Sequence, residues 1–265
     1  MRKHGCVSAA DAPRTGAPAR RSARLRALID AFTFSGGLEQ HETSCPDPGL
    51  SGPVRFPAAE GLRRLCDENG SLLIFDEGIT GFRLSCAGAA GYFGVQPDLM
   101  TFGKIIGAGM PVGAYGGRPA VMEMVSPLGP VYQAGTLSGN PVAMAAGLAQ
   151  LTLLRQHPGW YETLNETAGR FFGAIQSILS SHGRPYPVNH LGSLGCIFFT
   201  QGPVTNHPEA KTVDTEAFGS YCRYLLDRGI YCAPSQFEAM FLSMAHGDEE
   251  LNRPLDTIRG YFREH

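Results

Sequence analysis

Tryptophan is nearly missing from this 265-residue chain, occurring once, and charge is sparse, at 17% Asp, Glu, Lys and Arg. Long apolar runs are absent. The longest are four or five residues, such as Leu72-Leu73-Ile74-Phe75, against the ~20 that a membrane-spanning helix requires. No spanning helix is expected, and no secretory signal either, because the first thirty residues contain no continuous apolar stretch. An excess of one charge is lacking too: 22 Lys and Arg face 24 Asp and Glu, a net charge of −2, too little for a general grip on nucleic acid or anionic lipid. The seven cysteines, at 6, 45, 66, 86, 196, 222 and 232, form no C-x-x-C and have no His at zinc-ligand spacing. They read as scattered, reduced thiols, and no metal site is expected. These absences leave small molecules and other subunits as the expected partners, with no nucleic acid and no membrane, and the cytoplasm as the expected compartment.

What is present argues for a folded chain. Hydrophobic residues make up 43%, enough for a sizeable core at this length. Residues 1–30 carry seven basic groups against Asp11 and Asp30, an Arg-rich start whose composition allows a plastid transit peptide as the alternative to the cytoplasm. Residues 31–55 stay irregular, so 1–55 read as an atypical, disordered leader outside the fold. From there the apolar spacing predicts a helix over 58–69 and a short buried strand over 71–75 that ends on Asp76-Glu77. Strands are predicted at 99–104 and 112–115. Asn140-Pro141 supplies an N-cap and a first-turn proline for a long helix, followed by a helix over 161–181. Beyond 182 the pattern reads strand (193–200), helix (215–227), strand (230–233), strand (239–244) and helix (249–264). The expected architecture is α/β: residues 56–181 as part of a larger domain and 182–265 as a small C-terminal α/β domain.

Chemistry is suggested by one pair. Asp76 at the carboxyl end of one strand and Lys104 at the end of the next share the edge where α/β folds keep their sites. A Lys set among Gly103, Ile105, Ile106 and Gly107 is costly to desolvate; a desolvated amine is a competent Schiff-base former, and a carboxylate beside a pyridine nitrogen keeps that nitrogen protonated. The plainer alternative is a Lys reaching solvent beside an ordinary loop Asp.

The stretches Leu72-Leu73-Ile74-Phe75-Asp76-Glu77-Gly78-Ile79-Thr80-Gly81-Phe82-Arg83, Gly94-Val95-Gln96-Pro97-Asp98-Leu99 and Gly103-Lys104 through Ala114 resemble the class III aminotransferases, pyridoxal 5'-phosphate enzymes of fold type I. Residues 127–141 and Ala233-Pro234-Ser235-Gln236-Phe237-Glu238-Ala239 narrow the resemblance to the glutamate-1-semialdehyde 2,1-aminomutase branch. The resemblance runs from about Phe56 to the C-terminus. It implies an incomplete large-domain sheet, a homodimer with shared active sites, and intramolecular amino transfer giving 5-aminolevulinate for tetrapyrrole synthesis. Lys104 matches the Schiff-base lysine and Asp76 the partner of the pyridinium nitrogen. Gly135 and Thr136 match a loop reaching the cofactor phosphate of the neighbouring subunit, the alternative for Thr136 being a simple turn before the Asn140 cap. Glu238 matches a carboxylate near the substrate, or else is an exposed loop residue. Two departures stand out. The family usually carries Val at the position of Gly78, packed on the cofactor ring, and its phosphate-binding turn, stacking aromatic and substrate-binding arm find no match in 1–55. An aminotransferase acting on another amine, and an inactive fragment with exposed apolar surface prone to association, are the competing readings.

Overall fold

The computed structural model describes residues 57–265; the leader expected over 1–55 lies outside them. Helix α1 (Pro57–Asn69) lays Ala59, Leu62 and Cys66 against Leu73 and, in the following strand, Phe75, and this apolar stripe recurs at helical spacing in the sequence. Strand β1 (Ile74–Glu77) runs parallel to β2 (Leu99–Phe102), and β3 (Ala114–Gly117) returns antiparallel to β2, giving one three-stranded sheet in the order β1-β2-β3. Helix α2 (Gly88–Phe93) lies between β1 and β2, and the short α3 (Pro119–Met122) follows β3.

Two helices follow. In α4 (Pro141–Gln156), Asn140 Oδ1 accepts from the amides of Val142 at 3.0 Å and Ala143 at 3.2 Å, the N-cap the sequence predicts. Helix α5 (Trp160–Ser181) buries Ala168, Phe171, Phe172, Ile175 and Leu179 in a second core, so it packs with the C-terminal elements, whereas the sequence grouped it with 56–181.

That core rests on a second sheet, wholly antiparallel, of β4 (Val188–Leu191), β5 (Leu194–Ile197) and β6 (Met240–Phe241). Helices α7 (Thr215–Asp227) and α8 (Asp248–Glu264) close it with Phe218, Tyr221, Leu225, Ile258, Tyr261 and Phe262, and Phe199 stands amid this aromatic cluster, its ring 4.7 Å from that of Tyr186 and 5.5 Å from that of Phe218. The short α6 (His207–Ala210) covers Phe198. The strand predicted over 230–233 does not form: this stretch is irregular, Tyr231 is exposed and Pro234 follows, a residue that cannot donate to a ladder. The predicted 239–244 strand shrinks to two residues, and β4 was not foreseen.

The two sheets are joined by a small cluster in which Ile79, Leu84 and Ala89 meet Leu194, flanked by Tyr92 and Leu191. Arg83 reinforces it, donating to Ser193 Oγ and to the Leu242 carbonyl, each at 3.4 Å, with its guanidinium 4.8 Å from the Phe241 ring centre. Among the described residues no helix is long and apolar enough to cross a membrane.

Candidate active site

The carboxyl ends of β1 and β2 place the candidate residues. Register sets Asp76 opposite Thr101 and Glu77 opposite Phe102. Because successive side chains of a strand point to opposite faces, the two neighbouring acids take different tasks. Glu77 is buried, 1% exposed, and accepts from the Thr80 hydroxyl and from the Ala89 and Ala90 amides, both at 2.9 Å. It holds the start of α2 in place. On the other face Asp76 Oδ1 accepts from the Gly78 amide at 3.0 Å and the Thr101 hydroxyl at 2.9 Å. Among the described residues nothing donates to Oδ2, so one oxygen is anchored and the other is available to a proton-bearing nitrogen.

Lys104 stands just past β2. Gly103 is extended and Lys104 itself adopts φ 49°, the left-handed region that non-glycine residues seldom occupy. That conformation starts a one-turn 3₁₀ helix over Lys104–Gly107 and swings the side chain back toward β1. The convergence is measurable at Gly78: a Cβ there would stand 3.0 Å from Asp76 Oδ1 and 3.8 Å from Lys104 Nζ. The two groups flank the space beside Gly78 without forming an ion pair with each other. An expectation is corrected here. Lys104 is exposed rather than desolvated, since the 3₁₀ turn carries it out past the end of the sheet.

Support for the lysine turn comes from α4, which packs against it; a Cβ on Gly147 would collide with the Ile106 carbonyl oxygen. Beneath the site, Asp98 is 1% exposed and accepts from the Leu73 amide at 2.7 Å while pairing with Arg63 and Arg118, each at 2.8 Å. Burial pushes its carboxyl up, but the Leu73 amide and the Arg63 and Arg118 guanidinium groups outweigh that and hold it below the usual carboxylate range.

The other predicted residues are not gathered here. Gly135 and Thr136 lie in an exposed turn in which the Ser138 amide donates to the Gly135 carbonyl at 3.0 Å, with no hydrogen bond to Asp76 or Lys104. Glu238 is exposed at the end of a turn, its amide donating to the Ser235 carbonyl at 3.2 Å, while neighbouring Gln236 is buried and binds the Ile197 carbonyl and the Phe199 amide. Arg83 serves the inter-sheet contact, and burial pushes its guanidinium below its ordinary pKa. Thr101 was missed by sequence reasoning. Its signal was the parallel register, which sets residue 101 opposite 76 whenever 99 pairs with 74.

The donor set fits a pyridoxal-type group. An open acceptor oxygen on Asp76 and an amine within reach of the same space are what a protonated pyridine ring carrying an aldehyde needs.

Comparison with known proteins agrees. The chain is 59% identical over 201 residues to glutamate-1-semialdehyde 2,1-aminomutase 1 of Lachnoclostridium phytofermentans, covering 76% of this chain and 47% of that one. The fold matches a β-phenylalanine aminotransferase from Variovorax paradoxus with a TM-score of 0.71 and 32% identity, over 78% of this chain and 47% of that one. A transaminase solved with PLP bound superposes with a TM-score of 0.69 at 28% identity, over 78% of this chain and 47% of that one. The architecture is therefore the fold type I α/β arrangement with an incomplete large-domain sheet. The chain spans about half the length of the curated relatives it matches. The profile described as aminotransferase class-III matches residues 54–256, and with that match this chain belongs to the class III aminotransferase family.

Proposed function

We propose that this chain carries the lysine-bearing part of a pyridoxal 5'-phosphate-dependent glutamate-1-semialdehyde 2,1-aminomutase, which moves an amino group between adjacent carbons to give 5-aminolevulinate for tetrapyrrole synthesis. The observation that carries the reading is the convergence of Asp76 and Lys104 on the space beside Gly78. When bound, the cofactor supplies an electron sink for the bonds at the substrate carbon. The chain's own residues do the rest. Asp76, anchored through Oδ1, offers Oδ2 to a ring N–H and keeps that proton in place. Lys104, on its 3₁₀ turn, presents Nζ as the nucleophile and then as the base that carries a proton between neighbouring carbons. The Thr101 hydroxyl keeps Asp76 from rotating.

Identity at 59% to a protein named as the aminomutase supports this substrate over other amines. The reading further assigns Gly135 and Thr136 to the phosphate of a neighbouring subunit in a homodimer, Glu238 to the vicinity of the substrate, and the enzyme to the cytoplasm. The turn at 135–136 suits a partner's site, because both residues are exposed.

The test has two stages. Purified protein is mixed with pyridoxal 5'-phosphate, reduced with borohydride and digested; a pyridoxyl mass on Lys104, absent in Lys104→Ala, is expected, and a label elsewhere or none overturns the site. Glutamate-1-semialdehyde is then supplied: 5-aminolevulinate supports the mutase, whereas amino transfer to an external keto acid without it assigns another aminotransferase, the activity named for the Variovorax paradoxus neighbour.

A further inference from the structure

Outside the site just described, two thiols meet. Cys222 on α7 and Cys232 in the irregular stretch after it lie with their sulfurs 3.4 Å apart, although no spacing rule in the sequence pairs them. Both are half-buried, and exposed Tyr231 precedes Cys232. Cys222 also donates to the Ala233 carbonyl at 3.7 Å. On its other side the same stretch is pinned by Gln236, whose side-chain amide donates to the Ile197 carbonyl at 2.6 Å and whose side-chain oxygen accepts from the Phe199 amide at 3.2 Å. A third thiol, Cys196, reaches the Gln236 carbonyl at 3.5 Å but belongs to β5.

We infer that Cys222 and Cys232 form a reversible disulfide site, closed by peroxide, that clamps the 232–238 stretch to α7. Closing the gap to the ~2.05 Å of an S–S bond needs a sulfur shift of only about 1.4 Å, within the reach of two side-chain torsions. The chemistry balances with hydrogen peroxide as oxidant. The Cys232 thiolate attacks one peroxide oxygen, the O–O bond breaks and hydroxide leaves, taking up the thiol's proton as water. The Cys222 sulfur then displaces the hydroxyl from the Cys232 sulfenic acid, its own proton leaving with that hydroxyl as a second water. Two thiols are oxidised and one peroxide is reduced. Burial pushes the Cys222 thiol up to about 12, which makes it a poor nucleophile toward peroxide. The loop so closed spans one turn and the end of a helix, and the stretch it holds carries Gln236 and Glu238.

The test uses the full chain. Protein is treated with hydrogen peroxide, free thiols are blocked with N-ethylmaleimide, and an unreduced digest is analysed by mass spectrometry. A peptide pair linked through Cys222 and Cys232, lost on dithiothreitol treatment, is expected. In Cys222→Ser the Cys232 sulfenic acid should instead be trapped by dimedone. Amide exchange over 231–238 should slow at least about tenfold on oxidation and recover on reduction. Full alkylation of both thiols after peroxide, or cross-links that use Cys6, Cys45, Cys86 or Cys196 instead, would overturn the site. A disulfide that leaves amide exchange unchanged would overturn the clamp.

Discussion

Asp98 shows how a charge can be kept in an apolar setting: one backbone amide and two guanidinium groups share its two oxygens. Since its carboxyl sits below its ordinary value in the folded chain, the unfolded chain takes up that proton more readily as pH drops. The contribution to stability is therefore complete above about pH 4 and drains away as pH falls through the folded value. Asp98→Asn should lower stability at neutral pH by about 3 kcal/mol, by leaving Arg63 and Arg118 short of a counter-charge, and should flatten the acid limb. Urea midpoints of both proteins from pH 3 to pH 7 measure this; parallel acid limbs would contradict it. Thr101 offers a second case. Thr101→Val keeps the β-branched shape but removes the donor to Asp76 Oδ1. The expected result is roughly fivefold weaker cofactor binding by spectroscopic titration, near the ~1 kcal/mol of one hydrogen bond, with Thr101→Ser restoring most of it.

Helix α4 and the 3₁₀ turn over Lys104–Gly107 form one mechanical unit, because the helix backs directly onto the turn. In an ordinary helix interior Gly→Ala stabilises by up to about 1 kcal/mol. Gly147→Ala should do the opposite, since its methyl would strike the Ile106 carbonyl and push the Lys104 turn off its seat. A lower melting midpoint together with a weaker borohydride-fixed label on Lys104 is the expected pair of readings. Asn140→Ala should cost about 1 kcal/mol by freeing the two amides it caps. The elements that were legible in the sequence are those with local grammar. Asn140-Pro141 marks its helix by capping chemistry, and the stripe of α1 marks its buried face. Asp76 and Lys104 stand out as a candidate pair because a buried strand followed by a polar end is itself a local pattern, while their roles come only from the resemblance to the class III aminotransferases. The 3₁₀ turn was not legible, as it depends on Lys104 taking a positive φ that no residue preference announces. Nor was β4, which owes its form to pairing with β5, or the irregular 230–233, whose apolar residues resemble a strand but have no partner to pair with.

Among the described residues, eleven of the fifteen large exposed hydrophobics fall between Met110 and Leu153, including Leu128 at 79%, Tyr132 at 82% and Leu148 at 70% exposure. Scattered surface leucines are ordinary, but a concentration along one loop and one helix is surface that seeks cover. The protein should therefore associate in a concentration-dependent way through this region. Sedimentation of Leu148→Glu should shift toward smaller species with an unchanged melting midpoint; an identical mass distribution would assign association to another face. The remaining molecule-wide feature is the little knot of Ile79, Leu84 and Ala89 against Leu194. It makes the edge that carries Asp76 and Lys104 answerable to a distant core: whatever loosens the packing around Phe172 and Phe199 is felt through Leu194 at the loop just beyond Asp76. Heat or denaturant should thus silence the chemistry at the moment the aromatic half gives way, not before and not long after, as with two boards sharing one hinge pin.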